Sequence, residues 1–118
     1  MWEIEYTEEF EKWWVGLSEN EQIDLDANIT VLKTLGPKLN RPYCDTLNGS
    51  RYGNMKELRT QSQGKPLRTF FAFDPRRTAI LLIGGDKKGD DRFYERMIPI
   101  ADDLYSKHLE ELEDGKEI

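Results

Sequence analysis

The chain has 118 residues, of which 37% are hydrophobic and 34% charged, and its formal net charge is −6. This length fits a single domain over residues 1–118, and the 5 Phe, 5 Tyr and 3 Trp exclude a disordered chain. A lone cysteine excludes both an intrachain disulfide and a cysteine-based metal site.

The first 36 residues predict a strand followed by a helical hairpin. Residues 2–6 alternate apolar and polar side chains, which is typical of a half-buried strand. Thr7 can cap a short helix, whose Trp13 and Trp14 cannot both face one core. Ser18 and Glu21 have the spacing of a capping box, so a second helix should begin there and end at Gly36.

Residues 37–53 contain Pro, Gly, Asn and Asp and predict a long irregular connection. Apolar side chains then recur at every second residue, which predicts strands over residues 54–60, 67–74 and 78–83. Because the last of these is apolar on both faces, we expect it at the centre of the sheet, ending at Gly84.

Asp90 or Asp91 can cap a last helix. Pro99 lies within it and removes one helical hydrogen bond, which predicts a kink or a break near residues 95–99. The order β-α-α-β-β-β-α predicts an α+β fold, with a small antiparallel sheet covered by helices on one face.

The sequence predicts a cytoplasmic protein without a membrane partner. Its longest apolar run, residues 79–83, is far shorter than the roughly 20 residues that span a bilayer. The start of the chain also lacks the basic and apolar segments of a signal peptide.

The negative net charge does not exclude a nucleic-acid partner, because the charges are unevenly distributed. Residues 1–36 hold 2 cations and 9 anions, residues 37–96 hold 13 and 7, and residues 97–118 hold 2 and 7. Exposed charges are screened beyond about 8–10 Å, so local clusters outweigh the total. The basic middle segment is therefore where a site for an anionic partner is expected.

Two arginines on neighbouring predicted strands share one face of the sheet. Alternation directs Phe71 to the core, so Arg68 should point to the opposite, open face. In the preceding predicted strand, Arg59 is two residues from Glu57 and so shares its face, whereas Leu58 points inward. The pattern thus predicts that Arg59 and Arg68 converge.

Further candidates follow the central strand. Lys87 and Lys88 lie in a glycine-bounded loop, and Tyr94 begins the last helix. Lys56 and Arg92 are additional candidates for contacting RNA. By contrast, His108 has helical spacing from apolar residues and is expected to be a partly buried packing residue or a partner of the helix dipole.

These patterns resemble the RelE/ParE superfamily of bacterial toxins, and most closely its HigB-like, phage-associated branch. The resemblance covers essentially the whole chain. It rests on Glu57-Leu58-Arg59, a short turn, Leu67-Arg68-Thr69-Phe70-Phe71, an apolar strand, Lys87-Lys88 and a C-terminal helix, all in that order.

The resemblance implies the toxin of a type II toxin–antitoxin system, acting on messenger RNA of the translating ribosome. Such a protein is an endoribonuclease that needs neither metal nor other cofactor, and a cognate antitoxin neutralises it in a hetero-oligomer. The carboxylates of the chain have no metal-ligand spacing either.

The matching positions imply catalytic roles for Arg59, Arg68, Lys87 or Lys88, and Tyr94. The arginines would clamp the phosphate, a lysine would stabilise charge, and Tyr94 would move a proton or stack on a base. We expect the neighbouring cations to lower the pKa values of the lysine and the phenol toward neutrality.

The chain departs from the founding RelE ribonuclease, which has lysines where this chain has Met55 and Glu57. Glu57 could itself be the general base, or it could only form a salt bridge with Arg59 or Arg68. Two other functions stay open: a ParE-like toxin that binds a protein such as DNA gyrase without enzymatic activity, and a non-toxic interaction module.

Overall fold

The computed structural model describes residues 1–116, in which five strands and three α-helices form one α+β unit. The elements are β1 (Glu3–Tyr6), α1 (Glu8–Val15), α2 (Glu19–Leu35), β2 (Cys44–Thr46), β3 (Lys56–Ser62), β4 (Lys65–Phe73), β5 (Thr78–Asp86) and α3 (Phe93–Lys116). The predicted fold class and element order are confirmed, with β2 as an additional short strand inside the connection read as irregular. The domain expected over residues 1–118 extends two residues beyond the described part.

The five strands form one sheet in the order β1-β5-β4-β3-β2. The pairs among β2, β3, β4 and β5 are antiparallel, whereas β1 is parallel to β5. The expectation of a wholly antiparallel sheet is therefore wrong at this one pair. β5 lies between β1 and β4, in agreement with the internal position that its apolar faces predict.

Helices cover both faces of the sheet, and not one face as expected. On one face, Phe10 of α1 and Leu25 of α2 pack against Phe71 of β4. On the other, Phe93 and other apolar residues of α3 pack against the opposite side of β4 and β5. Since β4 and β5 are apolar on both sides, each face needs its own cover.

The N-terminal hairpin begins each helix with the predicted cap. The Thr7 hydroxyl accepts a hydrogen bond from the Phe10 amide at 3.0 Å. Ser18 accepts from the Glu21 amide at 3.1 Å, and the Glu21 carboxylate accepts from the Ser18 amide at 2.8 Å. This capping box is confirmed, and it fixes the start of α2.

β5 does not end at its two glycines, as the sequence predicted, but continues to Asp86. The glycines are needed for packing: a Cβ on Gly84 would lie 2.1 Å from the Trp13 ring, and one on Gly85 would lie 2.8 Å from the Phe93 ring. An aromatic ring from each layer of helices thus lies directly on the backbone of β5. Trp13 and Trp14 are both half-buried and pack against the same apolar cluster.

α3 is unbroken from Phe93 to Lys116 although it contains Pro99. Met97 and Ile98 before the proline and Ala101 after it are buried in the same apolar cluster. This packing holds both sides of the proline on the sheet, so the predicted break does not occur. No helix in residues 1–116 is both long enough and apolar enough to traverse a bilayer.

Candidate functional site

Arg59 of β3 and Arg68 of β4 are direct cross-strand partners in the antiparallel register. Leu58 and Phe71 belong to the cluster under α1 and α2, while Phe70 belongs to the cluster under α3. Alternation therefore puts both arginines on the α3 side of the sheet. Their predicted convergence is confirmed.

A buried carboxylate lies between one of these arginines and the phenol of α3. Glu57 accepts a hydrogen bond from the Tyr94 hydroxyl at 2.7 Å. Its Oε1 also lies 3.5 Å from Nε of Arg68, and both side chains are almost wholly inaccessible to solvent. The site is therefore organised around a buried acid whose Oε1 contacts both a phenol and a cation.

Arg68 does not point to an open face. Its side chain is only 7% exposed, because the first turn of α3 covers this part of the sheet. Nη1 donates to the Leu67 carbonyl at 3.0 Å. Within the described residues, Nε is buried without a hydrogen-bond partner, and its nearest anion is Glu57. Arg68 thus lies behind the accessible surface of the site.

The pKa of Tyr94 is raised, not lowered as the sequence argument expected. Burial of the phenol is the largest cause, and the hydrogen bond to Glu57 adds to it. Arg68 acts in the opposite direction but is outweighed. Tyr94 is therefore protonated at neutral pH, where it can donate a hydrogen bond or a proton but cannot act as a base.

The accessible part of the site is a cleft of about 380 Å³ beside Glu57, Arg59 and Tyr94. Its other wall comes from β2 and the segments next to it, including Arg41, Asp45 and Asn48. Arg41 forms an ion pair with Asp45, with Nε at 2.9 Å from the carboxylate. Arg41 was missed from the sequence because residues 37–53 were read as an irregular connection.

The loop after β2 is held in place by a buried carboxylate of α3. Asp102 accepts hydrogen bonds from the Ser50 hydroxyl and from the Arg51 amide, the latter at 2.9 Å. Tyr52 also bonds to Ser106 of α3. The signal for this contact was present in the sequence, since Asp102 interrupts the apolar stripe of α3.

The other predicted site residues divide into two groups. Lys87 joins the cluster, with Nζ 5.5 Å from the centre of the Tyr94 ring. Lys88 and Arg92 are exposed, and neither they nor Lys87 are among the residues that line the cleft.

Lys56 is two residues from Leu58 in β3, so its side chain lies on the same face as Leu58, under α1 and α2. This is the face opposite to Glu57 and Arg59. There it lines a smaller cleft with Cys44, whose thiol has a pKa raised by burial. The structure thus brings Glu57, Arg59, Arg68, Lys87 and Tyr94 together and leaves Lys56, Lys88 and Arg92 outside.

A second polar cluster lies at the far end of β4. The buried carboxylate of Asp74 is 2.9 Å from Nε2 of His108 and accepts a hydrogen bond from the Arg76 guanidinium at 2.7 Å. Burial alone would raise the pKa of Asp74, but these hydrogen bonds and those from two backbone amides lower it. His108 is nearly buried as expected, and it pairs with Asp74 where the sequence suggested the helix dipole.

In the part of the chain that the structure describes, no three His, Cys, Asp or Glu side chains are grouped as ligands for a metal ion. The chemistry described above belongs to Glu57, Arg59, Arg68, Lys87 and Tyr94. A buried acid, a protonated phenol and several cations are together able to bind a phosphate and transfer protons beside it.

Residues 12–106 match the sequence pattern of the family described as phage-derived Gp49-like proteins. HigB2 and HigB3 of Mycobacterium tuberculosis, both named as toxins, are 43% identical over 111 residues and 46% identical over 93 residues.

These alignments cover 92% and 78% of this chain. The chain spans about half of HigB2, 55% of its length, and 80% of HigB3. Among solved structures, the isolated E. coli RelE toxin aligns with 85% of this chain and 99% of its own, with a TM-score of 0.48 and 13% identity.

Proposed function

The chain belongs to the Gp49-like family of phage-derived proteins, in its HigB-like branch, and from this premise we propose that it is a toxin that cleaves messenger RNA on the ribosome. The observation that carries the proposal is the Glu57 carboxylate, whose Oε1 contacts both the Tyr94 hydroxyl and Arg68, next to an accessible cleft. Arg59, in the wall of that cleft, supplies the cation that meets the phosphate.

The proposed reaction is attack of the ribose 2′-hydroxyl on the adjacent phosphorus. Glu57 takes the 2′ proton, Arg59 and Lys87 stabilise the charge that develops on the phosphoryl oxygens, and the bond to the 5′ oxygen breaks. Tyr94 donates its proton to the leaving 5′ oxygen. The products are a 2′,3′-cyclic phosphate and a 5′-hydroxyl, and the proton returns from Glu57 to Tyr94 along their 2.7 Å hydrogen bond.

Arg68 has a different role in this scheme from the phosphate clamp that the sequence suggested. Because it is buried and its Nε lies 3.5 Å from Glu57, it orients this carboxylate. Arg68 is a positioning residue, whereas Arg59 contacts the substrate.

The partners follow from the same proposal. HigB2 and HigB3 are named as toxins, and a toxin requires a cognate antitoxin that holds it inactive. The ribosome supplies the messenger RNA in a fixed position, which a protein with a net charge of −6 needs because its affinity for free RNA is low.

The test uses purified protein and stalled translation complexes with labelled messenger RNA. Arg59→Gln should reduce the rate of cleavage by about 100-fold, because it removes a charge from the site where the phosphate develops negative charge. Arg77→Gln is the matched control: Arg77 lies in the turn after β4, over the Trp2 ring at 4.9 Å, and its loss should leave the rate unchanged. Intact messenger RNA with the wild-type protein would contradict the proposal.

A ParE-like toxin is the second candidate, and the burial of Arg68 is the observation that favours it. In that case the cationic cluster would be structural and the target would be a protein such as DNA gyrase. A supercoiling assay separates the two, because an endoribonuclease leaves gyrase activity unchanged. Inhibition of supercoiling together with intact messenger RNA would support the second candidate.

A further inference from the structure

We propose that the free edge of β1, with the clefts on its two sides, binds an extended peptide segment of a protein partner in which apolar and basic side chains alternate. The proposal concerns the edge of the sheet that lies farthest from β2 and from the cleft beside Tyr94. It rests on strand geometry, exposed apolar surface and charge.

β1 has a neighbouring strand on one side only, since it is the first strand in the order of the sheet. The Thr7 amide, just after β1, donates to the Leu81 carbonyl of β5 at 3.0 Å. In a parallel pair alternate residues face the neighbouring strand, so the backbone groups of Ile4 and Tyr6 point to the open edge. The Trp2 amide, just before β1, already donates to the Lys33 carbonyl of α2 at 2.9 Å, so the free edge is the part at Ile4 and Tyr6. An exposed edge of this kind is a template for another strand.

An apolar cleft of about 610 Å³ opens beside this edge on the side of α1 and α2. Phe10, Trp14 and Ile29 form much of its lining, which also includes the carboxylates of Glu11 and Asp26. At its rim, Tyr6 is 58% exposed and Val15 is 69% exposed. Two large exposed side chains around one apolar cleft form a surface that a partner can cover.

The cleft on the other side of β1 is acidic. It has a volume of about 410 Å³ and is lined by β1, the start of α1 and the last part of α3. Within residues 1–116, its charged lining consists of Glu5, Glu8, Glu9 and Glu111 with the cation Lys107, and His108 lies in the same wall. Arg76 neutralises Glu5, so the net charge that a partner meets comes from the other three glutamates and Lys107.

The two clefts together specify the chemistry of the occupant. Successive side chains of a strand point to opposite faces of a sheet, so a peptide paired with β1 directs alternate side chains into the two clefts. Apolar side chains fit the cleft at Phe10 and Trp14, and Lys or Arg side chains fit the cleft at Glu8 and Glu9. An acidic or uniformly polar segment fits neither arrangement.

Such a partner would leave the cleft beside Arg59 and Tyr94 uncovered, because β1 and β2 are opposite edges of the sheet. Identifying the partner as the antitoxin rests on the proposed function. The peptide site itself does not, since it depends only on the edge and its two clefts.

The experiment measures fluorescence anisotropy of a labelled peptide made of four Arg-Val repeats, titrated with the full chain. Val15→Glu should weaken binding by roughly tenfold or more, because it puts a charge at the rim of the apolar cleft. Ile23→Glu is the matched control, since Ile23 is 59% exposed on α2 but does not line the cleft. Glu8→Lys should also weaken binding, whereas Glu110→Lys, outside both clefts, should not.

A second peptide tests the strand pairing without altering the protein. N-methylation of the backbone on alternate residues removes the donors that face β1, so this peptide should bind at least roughly tenfold more weakly. Equal binding of the two peptides, or equal losses for Val15→Glu and Ile23→Glu, would overturn the proposal. Cleavage of messenger RNA is a separate measurement, so failure of the peptide site and failure of the proposed nuclease are distinguishable.

Discussion

At the scale of single residues, the contact between Tyr94 and Glu57 decides what each group can do. The phenol has a raised pKa because it is buried and because its hydroxyl bonds to a carboxylate. Tyr94 is therefore the donor of the pair, and the carboxylate is the acceptor at 2.7 Å. In the proposed reaction, this contact makes Tyr94 the acid and Glu57 the base, and no histidine is needed.

Removing the carboxylate should shift the ionisation of Tyr94 in a defined direction. In Glu57→Gln, the pKa of Tyr94 should fall toward its ordinary value of 10.0 but stay above it, because burial still disfavours the phenolate. NMR titration of ¹³C-labelled tyrosine measures this value. Asp45→Asn, which neutralises another carboxylate lining the same cleft, should leave it unchanged; equal shifts in both variants would contradict the assignment.

Asp74 should make the free energy of unfolding depend on pH in the acid range. Its folded pKa is lowered below the ordinary 3.8, so its stabilising contribution is complete above that pH and is lost as the pH falls through the folded value. Asp74→Asn should lower the free energy of unfolding by about 2 kcal/mol at pH 7 and flatten its decline below pH 4. Urea unfolding at several pH values measures both effects, and Asp114→Asn, at an exposed position, should retain the wild-type decline.

At the scale of elements, β5 determines how closely the two layers of helices approach the sheet. Gly84→Ala would put a Cβ 2.1 Å from the Trp13 ring, and this ring is packed against the sheet by the rest of α1. We expect a loss of about 1–3 kcal/mol in the free energy of unfolding, measured by chemical denaturation. Gly53→Ala is the control, because no atom lies within 4 Å of the added Cβ; an unchanged stability in Gly84→Ala would show that Trp13 can move away.

The sequence predicted the elements well where the pattern depends on neighbouring residues. The caps at Thr7 and Ser18 and the alternation that pairs Arg59 with Arg68 are of this kind. The short β2 was not predicted, because its three residues pair with β3 and have no periodicity of their own. The extension of β5 past Gly84 comes from its pairing with β4, where Arg68 lies opposite Gly85 and Leu67 lies opposite Asp86.

The sequence predicts which residues form the candidate site, but it does not predict their burial or their pKa values. Alternation puts Arg59, Arg68 and Glu57 on one face, and chain order adds Tyr94. Whether that face is open depends on where α3 packs, and its packing on this face buries Arg68 and raises the pKa of Tyr94. The wall that contains Arg41 also comes from tertiary contacts, since Asp102 of α3 holds the loop after β2.

At the scale of the whole molecule, the distribution of charge limits its affinity for free nucleic acid. In the described part of the chain, only a few cations, including Arg41, Arg59 and Lys87, lie in or beside the candidate cleft. The affinity for a short single-stranded RNA should therefore be weak, and its logarithm should fall with the logarithm of salt concentration with a slope no steeper than about −3. Anisotropy titrations at several salt concentrations measure this slope, and a much steeper value would mean that a larger surface binds RNA.

The parallel pairing of β1 with β5 also governs when the molecule can become active during its own synthesis. The Thr7 hydroxyl donates to the Leu82 carbonyl, a contact between residues 75 positions apart. A nascent chain that ends before β5 has no partner for its first strand, and it lacks Tyr94 although both arginines are already made. Because contacts so distant in sequence form late, the fold closes and the site is completed only after most of the chain has emerged. For a protein proposed to attack translating ribosomes, this order of synthesis leaves the proposed site incomplete until Tyr94 has been added.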